Sequence, residues 1–71
     1  MFKKICEDIR NILKEKNITY AQLGTYTGLS ESTIKRFMCG ADDSRRVAEK
    51  IADALNFTLV YSKGVYSIEG R

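Results

Sequence analysis

The chain has no histidine, no proline and no tryptophan, and only two cysteines among its 71 residues. Without histidine it lacks the side chain most used for acid–base catalysis near neutral pH and for binding transition metals. Cys6 and Cys39 form no CxxC pair, so we expect reduced thiols, with Cys6 in the core, and no zinc site. The sequence therefore predicts a protein that is not an enzyme and needs no metal or other cofactor.

No stretch approaches the length of a membrane-spanning helix, and the first ten residues, MFKKICEDIR, carry too many charges for a signal peptide. We therefore expect a cytoplasmic protein with no membrane partner. Since repeats and low-complexity tracts are also missing, we expect one domain without internal linkers.

The charge balance is mildly basic. Twelve Lys and Arg residues against nine Asp and Glu residues give a formal net charge of +3. Such a charge permits a polyanionic partner without requiring one. Its distribution is more informative, because residues 22–37 carry one acid, Glu31, and two cations, Lys35 and Arg36.

Residues 19–40, TYAQLGTYTGLSESTIKRFMCG, have the pattern of two short helices joined by a turn that contains glycine. Thr19 is placed to cap the backbone amide of Gln22, and Gln22 to reach back, as in a capping box. Gly24 indicates a close helix crossing, and Gly28 a left-handed residue that ends the first helix. This is the layout of a helix-turn-helix, which places its second helix in a DNA groove.

The second helix is expected to begin after Ser30, a natural N-cap, and to end at Gly40. Helical spacing turns Ile34, Phe37 and Met38 inward. The opposite stripe combines hydroxyl, cationic and thiol side chains: Ser32, Lys35, Arg36 and Cys39. Short polar groups at a helix tip suit base edges, and long cations further along can reach phosphates or guanine.

Periodicity predicts the remaining elements of a mainly α fold with a minor β part. Apolar residues at helical spacing indicate a first and a fourth helix, and a change to a period of two after Asn56 favours a C-terminal β-hairpin. The expected bounds of the four helices and two strands are 2–16, 20–27, 31–39, 44–55, 57–61 and 65–68. Together they form a single helix-turn-helix domain over residues 1–68.

The hairpin allows two registers. Pairing Tyr61 with Val65 places Ser67 on the same face as Phe57, Leu59 and Tyr61. Pairing Tyr61 with Tyr66 instead places Tyr66 and Ile68 on that face, which is then apolar, with Gly64 at positive φ in the turn. We expect the second register. Because a two-stranded ribbon is marginal alone and has open edges, we also expect it to lean on the helical core and to join two chains in a homodimer. The residues assigned to dimerisation are Phe57, Leu59, Tyr61, Tyr66 and Ile68.

The last four residues, IEGR, spell the recognition sequence of a protease used to remove purification tags. We therefore expect residues 69–71 to be a tag remnant that lies outside the fold.

Residues 19–40 resemble the helix-turn-helix of phage Cro and repressor proteins, and the four-helix arrangement over about residues 2–56 is similar to that family. The resemblance implies a dimeric repressor that binds a palindromic operator in double-stranded DNA, with no small-molecule ligand. It implies that bases are read around the start of the second helix, here by Ser30, Glu31, Ser32, Lys35 and Arg36. The family usually has alanine where Gly24 stands, which we expect to be a sterically conservative difference. It commonly has glutamine where Glu31 stands; a carboxylate there can accept from cytosine but repels phosphates.

A second group of side chains is expected to contact the DNA backbone. Helix N-termini commonly bind phosphate, which favours the start of the first motif helix. Cations at the start of the fourth helix oppose its dipole, which favours a functional reason for them. The assigned residues are Thr19, Tyr20, Gln22, Thr33, Arg45 and Arg46.

Three alternatives stay open. An antitoxin or a restriction-control regulator would use the same DNA-binding module with another partner or promoter. A helix-turn-helix that contacts only protein would leave the polar stripe of the second helix as a solvated face. Tyr26, Tyr61 and Tyr66 could stack on single-stranded bases, although packing within the hairpin is the simpler role for the last two.

Overall fold

The structure, a computed structural model, describes residues 2–70 and shows four helices followed by a β-hairpin. The elements are α1 (Lys3–Lys16), α2 (Tyr20–Thr27), α3 (Glu31–Met38), α4 (Arg45–Ala54), β1 (Phe57–Ser62) and β2 (Val65–Gly70). The predicted mainly α class with a minor β part is confirmed. Each helix lies within one residue of its expected bounds, whereas both strands are longer than expected.

One apolar core holds the four helices together, and each helix contributes to it. The largest fully buried side chains are Ile5, Ile9, Leu23, Ile34, Phe37 and Ile51. No polar or charged residue is buried within residues 2–70. The expected burial of Cys6 is confirmed, as is the inward face of α3.

Left-handed asparagines follow α1 and α4. Asn17 has φ 56° and its backbone N–H donates to the last turn of α1. Asn56 has φ 63° and links α4 to the hairpin. Asparagine tolerates this conformation better than most residues, which explains why both helices end where the sequence predicted.

The hairpin adopts the expected register. Tyr61 lies opposite Tyr66, and Ser62 lies opposite Val65. Lys63 and Gly64 therefore form a two-residue turn, and both have positive φ, 53° and 76°. Two positive φ values are the mark of a type I′ turn, whose twist matches that of the strands.

The apolar face of the hairpin packs on the helices of the same chain, with β1 against α4 and β2 against α1. Four of the five side chains assigned to dimerisation are partly buried there: Phe57, Leu59, Tyr66 and Ile68. Tyr61, near the turn, is 61% exposed. This confirms the expectation that the hairpin leans on the helical core, and any contact of these side chains with a second copy stays a prediction. Dimerisation itself stays a prediction, and it would use the strand edges or the turn end of the hairpin.

Glu69 and Gly70, expected to lie outside the fold, are part of β2. They pair with Thr58 and Phe57, so the antiparallel ladder continues to the start of β1. The expectation that the fold stops at residue 68 is therefore wrong. Met1 and Arg71, which the expected domain and tail include, lie outside the described residues.

Candidate nucleic-acid interface

The capping box at the start of α2 forms as expected. Thr19 Oγ1 accepts the backbone N–H of Gln22 at 3.1 Å, and Gln22 Oε1 accepts the backbone N–H of Thr19 at 2.9 Å. Both residues are exposed. Because its Oε1 is anchored in this way, the side-chain amide nitrogen of Gln22 is held at the helix start with N–H donors suited to a phosphate.

Gly24 lies where α2 passes close to the turn that follows it. A Cβ atom at this position would lie 2.8 Å from the carbonyl oxygen of Leu29 and 3.7 Å from Cδ1 of Ile34. The first distance is too short for a carbon–oxygen contact, and the oxygen belongs to the backbone. The expectation that alanine would be sterically conservative here is therefore wrong for this chain, because the turn or the helix would have to move.

The turn between α2 and α3 is held by Gly28 and by Thr27, whose role was not predicted from the sequence. Gly28 has φ 76° and its N–H donates to the carbonyl of Gly24 at 2.8 Å. Thr27 Oγ1 donates to the carbonyl of Leu23 at 2.8 Å and accepts the N–H of Leu29 at 3.2 Å. One hydroxyl thus joins the last turn of α2 to the entry of α3. A threonine next to a helix-ending glycine was the available signal, since such hydroxyls bond nearby backbone groups.

Ser30 caps α3 as expected. Its Oγ accepts the N–H of Thr33 at 3.2 Å and lies 2.8 Å from the Thr33 hydroxyl. Within this pair one hydroxyl donates to the other, which leaves one O–H donor for a ligand. Both residues, assigned to DNA contacts, therefore also fix the start of the helix.

The outward side of α3 carries the expected polar stripe. The exposed residues are Glu31, Ser32, Lys35, Arg36 and Cys39. The opposite side is buried in the core. Glu31 Oε1 lies 3.6 Å from Lys35 Nζ, and both side chains are at least half exposed. Among residues 2–70 the Arg36 guanidinium has no acidic partner, so it is available to a ligand.

Two side chains of α1 donate to the last carbonyls of α3. Cys6 Sγ donates to the carbonyl of Phe37, and Arg10 Nη2 donates to the carbonyl of Met38, each at 3.4 Å. The last carbonyls of a helix lack intrahelical donors, and a cation there also suits the helix dipole. Burial raises the pKa of the Cys6 thiol, which keeps it protonated as a donor. No local pattern in the sequence indicates these two contacts, because the paired residues lie 31 and 28 positions apart.

The other residues expected to contact the DNA backbone differ in exposure and in their partners. Arg45 and Arg46 are exposed at the start of α4, where Ser44 is the N-cap. Arg45 Nε forms an ion pair with Glu49 Oε1 at 3.1 Å. Tyr20 packs partly buried against the core, and its expected contact with the DNA backbone stays a prediction.

Residues 2–70 contain no group of three or more His, Cys, Asp or Glu side chains that could hold a metal ion. In the same part of the chain, no helix combines the length and apolar composition needed to cross a membrane.

A capped first helix, a glycine turn and a second helix with a free polar side define a helix-turn-helix DNA-binding module. The Cro/C1-type HTH DNA-binding domain family matches residues 8–59, from within α1 to within β1, and the chain belongs to that family. No curated protein and no solved structure gives a significant match to the chain. The family match supports a DNA-binding regulator.

Proposed function

We propose that this chain is a sequence-specific transcriptional regulator that reads double-stranded DNA with the outward side of α3. This proposal rests on one observation. The outward side of α3 is polar, cationic and exposed to solvent, whereas the inward side and both ends of the helix are held by the rest of the protein. Its inward side lies in the core, its start is capped by Ser30, and its end is held by Cys6 and Arg10. A helix held in this way can enter the major groove without losing much conformational freedom.

The proposed contacts fall into two groups. Around the tip and along the outward side, the base-reading residues are Ser30, Glu31, Ser32, Lys35 and Arg36. Flanking them, the backbone-contacting residues are Thr19, Tyr20, Gln22, Thr33, Arg45 and Arg46. Arg36 is the strongest candidate for guanine, since its guanidinium is uncommitted and can donate two parallel hydrogen bonds.

We further propose a Cro-like repressor that binds a palindromic operator as a homodimer and occupies promoter DNA. Within residues 2–70, the backbone hydrogen bonds that join separate elements involve none of Tyr61, Tyr66 and Ile68. The register turns the backbone groups of Tyr61 outward on β1 and those of Tyr66 and Ile68 outward on β2. A second copy could pair with one edge about a two-fold axis and set two α3 helices roughly 34 Å apart along DNA.

The DNA-binding proposal is tested by selecting duplexes from a random pool and then titrating selected and random duplexes at two salt concentrations. We expect an enriched sequence whose affinity exceeds that of random duplex by about a thousandfold or more. Both affinities should fall with salt, because cationic contacts release counterions. Weak binding that is equal for every sequence would instead favour a helix-turn-helix that contacts only protein.

The dimer proposal needs an edge substitution rather than a deletion, because removing the hairpin would also uncover the core. Tyr61→Pro removes an outward N–H from β1, and Ile68→Val, which keeps an apolar side chain, serves as a control. We expect sedimentation to show a wild-type dimer. A β1-edge dimer would be lost in Tyr61→Pro, and a β2-edge dimer would survive it. A monomeric wild type at concentrations that saturate the selected duplex would contradict the proposal.

A further inference from the structure

Glu31 is the single acidic residue between Thr19 and Gly40, and it lies on the side of α3 proposed to meet DNA. It is the first residue of that helix, and its side chain is half exposed. A carboxylate near phosphates weakens binding to any duplex, so affinity alone would favour a neutral residue there.

Helix stability explains little of why a glutamate, and not a neutral residue, stands at position 31. A negative charge does suit a helix N-terminus, and Glu31 is well spaced to pair with Lys35. However, an exposed pair of this kind contributes little, and Ser30 already caps the first turn. Glutamine would have a similar size and shape without the charge.

The ion pair also determines where Lys35 is held in the free protein. Its Nζ lies 3.6 Å from Glu31 Oε1, which is longer than a close charge-assisted hydrogen bond. Both groups lie in solvent, so a better donor for the carboxylate or a better acceptor for the ammonium can separate them. DNA offers both kinds of group in the major groove and along its backbone.

We propose that Glu31 is a specificity-determining residue. Its negative charge lowers the affinity for DNA in general, and a hydrogen bond to cytosine restores that affinity only at a site where cytosine faces the carboxylate. The cytosine amino group is the base-edge donor that a carboxylate accepts from. At such a site Glu31 takes that hydrogen bond, and Lys35 is released to a phosphate or to guanine. At other sites the carboxylate faces acceptors and keeps Lys35 occupied. This inference rests on the proposed function of α3.

The test compares Glu31→Gln with Asp8→Asn. Asp8 forms an equivalent exposed ion pair with Lys4 at 3.4 Å on α1, outside the motif, so this control removes the same charge elsewhere. Each protein is titrated with random duplex and with the duplex that wild type selects, over a series of salt concentrations. Circular dichroism checks that both variants keep their helices.

We expect Glu31→Gln to bind random duplex about threefold or more tightly than wild type, the effect of one repulsive charge at roughly 7 Å in water. The affinity of Glu31→Gln for the selected duplex should stay the same or fall. The ratio of the affinity for selected duplex to that for random duplex should therefore be lower than in wild type. The slope of log affinity against log salt on random duplex should steepen by about one, because Lys35 gains a phosphate. Asp8→Asn should keep the wild-type ratio.

The outcomes separate this inference from the proposed function. If wild type selects a sequence but Glu31→Gln keeps the wild-type ratio, the inference fails and the proposed function stands. An equal fall of the ratio in Asp8→Asn would also overturn the inference, since total charge would then explain it. If wild type selects no sequence, both fail. A repeat selection with Glu31→Gln should lose the preference for one cytosine–guanine pair.

Discussion

Replacing Gly24 with alanine is expected to destabilise the protein, although alanine is the better helix former. In a helix interior, alanine is favoured over glycine by about 1 kcal/mol. The added Cβ would lie 2.8 Å from the carbonyl oxygen of Leu29, so the turn would have to move. Overpacking of this kind costs roughly 1 to 3 kcal/mol. The two effects leave an expected net loss of about 1 kcal/mol, or a fall in Tm of roughly 4 to 8 °C for a small domain.

Thermal and urea denaturation of wild type and Gly24→Ala, followed by circular dichroism, would measure this change. Ala21→Gly is the matched control, because Ala21 is an exposed residue of the same helix and reports helix propensity alone. It should lose about 1 kcal/mol. Since the turn also positions α3, Gly24→Ala should weaken binding to the selected duplex, which Ala21→Gly should not. A Gly24→Ala variant about 1 kcal/mol more stable than wild type would refute the packing argument.

Three further predictions follow from individual contacts. Thr27→Val leaves the N–H of Leu29 without its acceptor and should cost about 1 to 3 kcal/mol in urea denaturation, whereas Thr27→Ser should recover most of the loss. Arg36→Ala should weaken binding to the selected duplex by about 1 to 3 kcal/mol if Arg36 reads guanine, and an equal loss on random duplex would make it a phosphate contact instead. Burial raises the pKa of Cys6, so the unfolded chain loses this proton at a lower pH than the folded chain. Stability should then fall as pH rises above the ordinary thiol pKa, and this component should persist in Cys39→Ser and vanish in Cys6→Ala.

The elements could be predicted from sequence because each is encoded by neighbouring residues. The capping box of Thr19 and Gln22, the left-handed Gly28 and the cap at Ser30 depend on contacts across three or four positions. The hairpin register follows from alternation, since one register alone gathers the apolar side chains. Helical spacing of the apolar residues likewise predicted which side of α3 is buried, and the outward side is the opposite one.

What the sequence did not reveal depends on distant parts of the chain or on exact distances. The contacts of Cys6 and Arg10 with the end of α3 join residues that are 31 and 28 positions apart. The spacing of α2 from the turn decides whether Gly24 can become alanine, and no pattern encodes a few tenths of an ångström. The sequence also indicated that the apolar face of the hairpin leans on the helical core, without indicating which helix each strand meets. The structure places β1 against α4 and β2 against α1.

The central claim is that the outward side of α3 is the surface that contacts DNA. Titration of the ¹⁵N-labelled protein with the selected duplex, followed by amide chemical shifts and intermolecular NOEs, tests it most directly. We expect NOEs to DNA from Ser32, Lys35 and Arg36, with further shifts at Gln22 at the start of α2. NOEs confined to the hairpin or to α1, with α3 unperturbed, would contradict it.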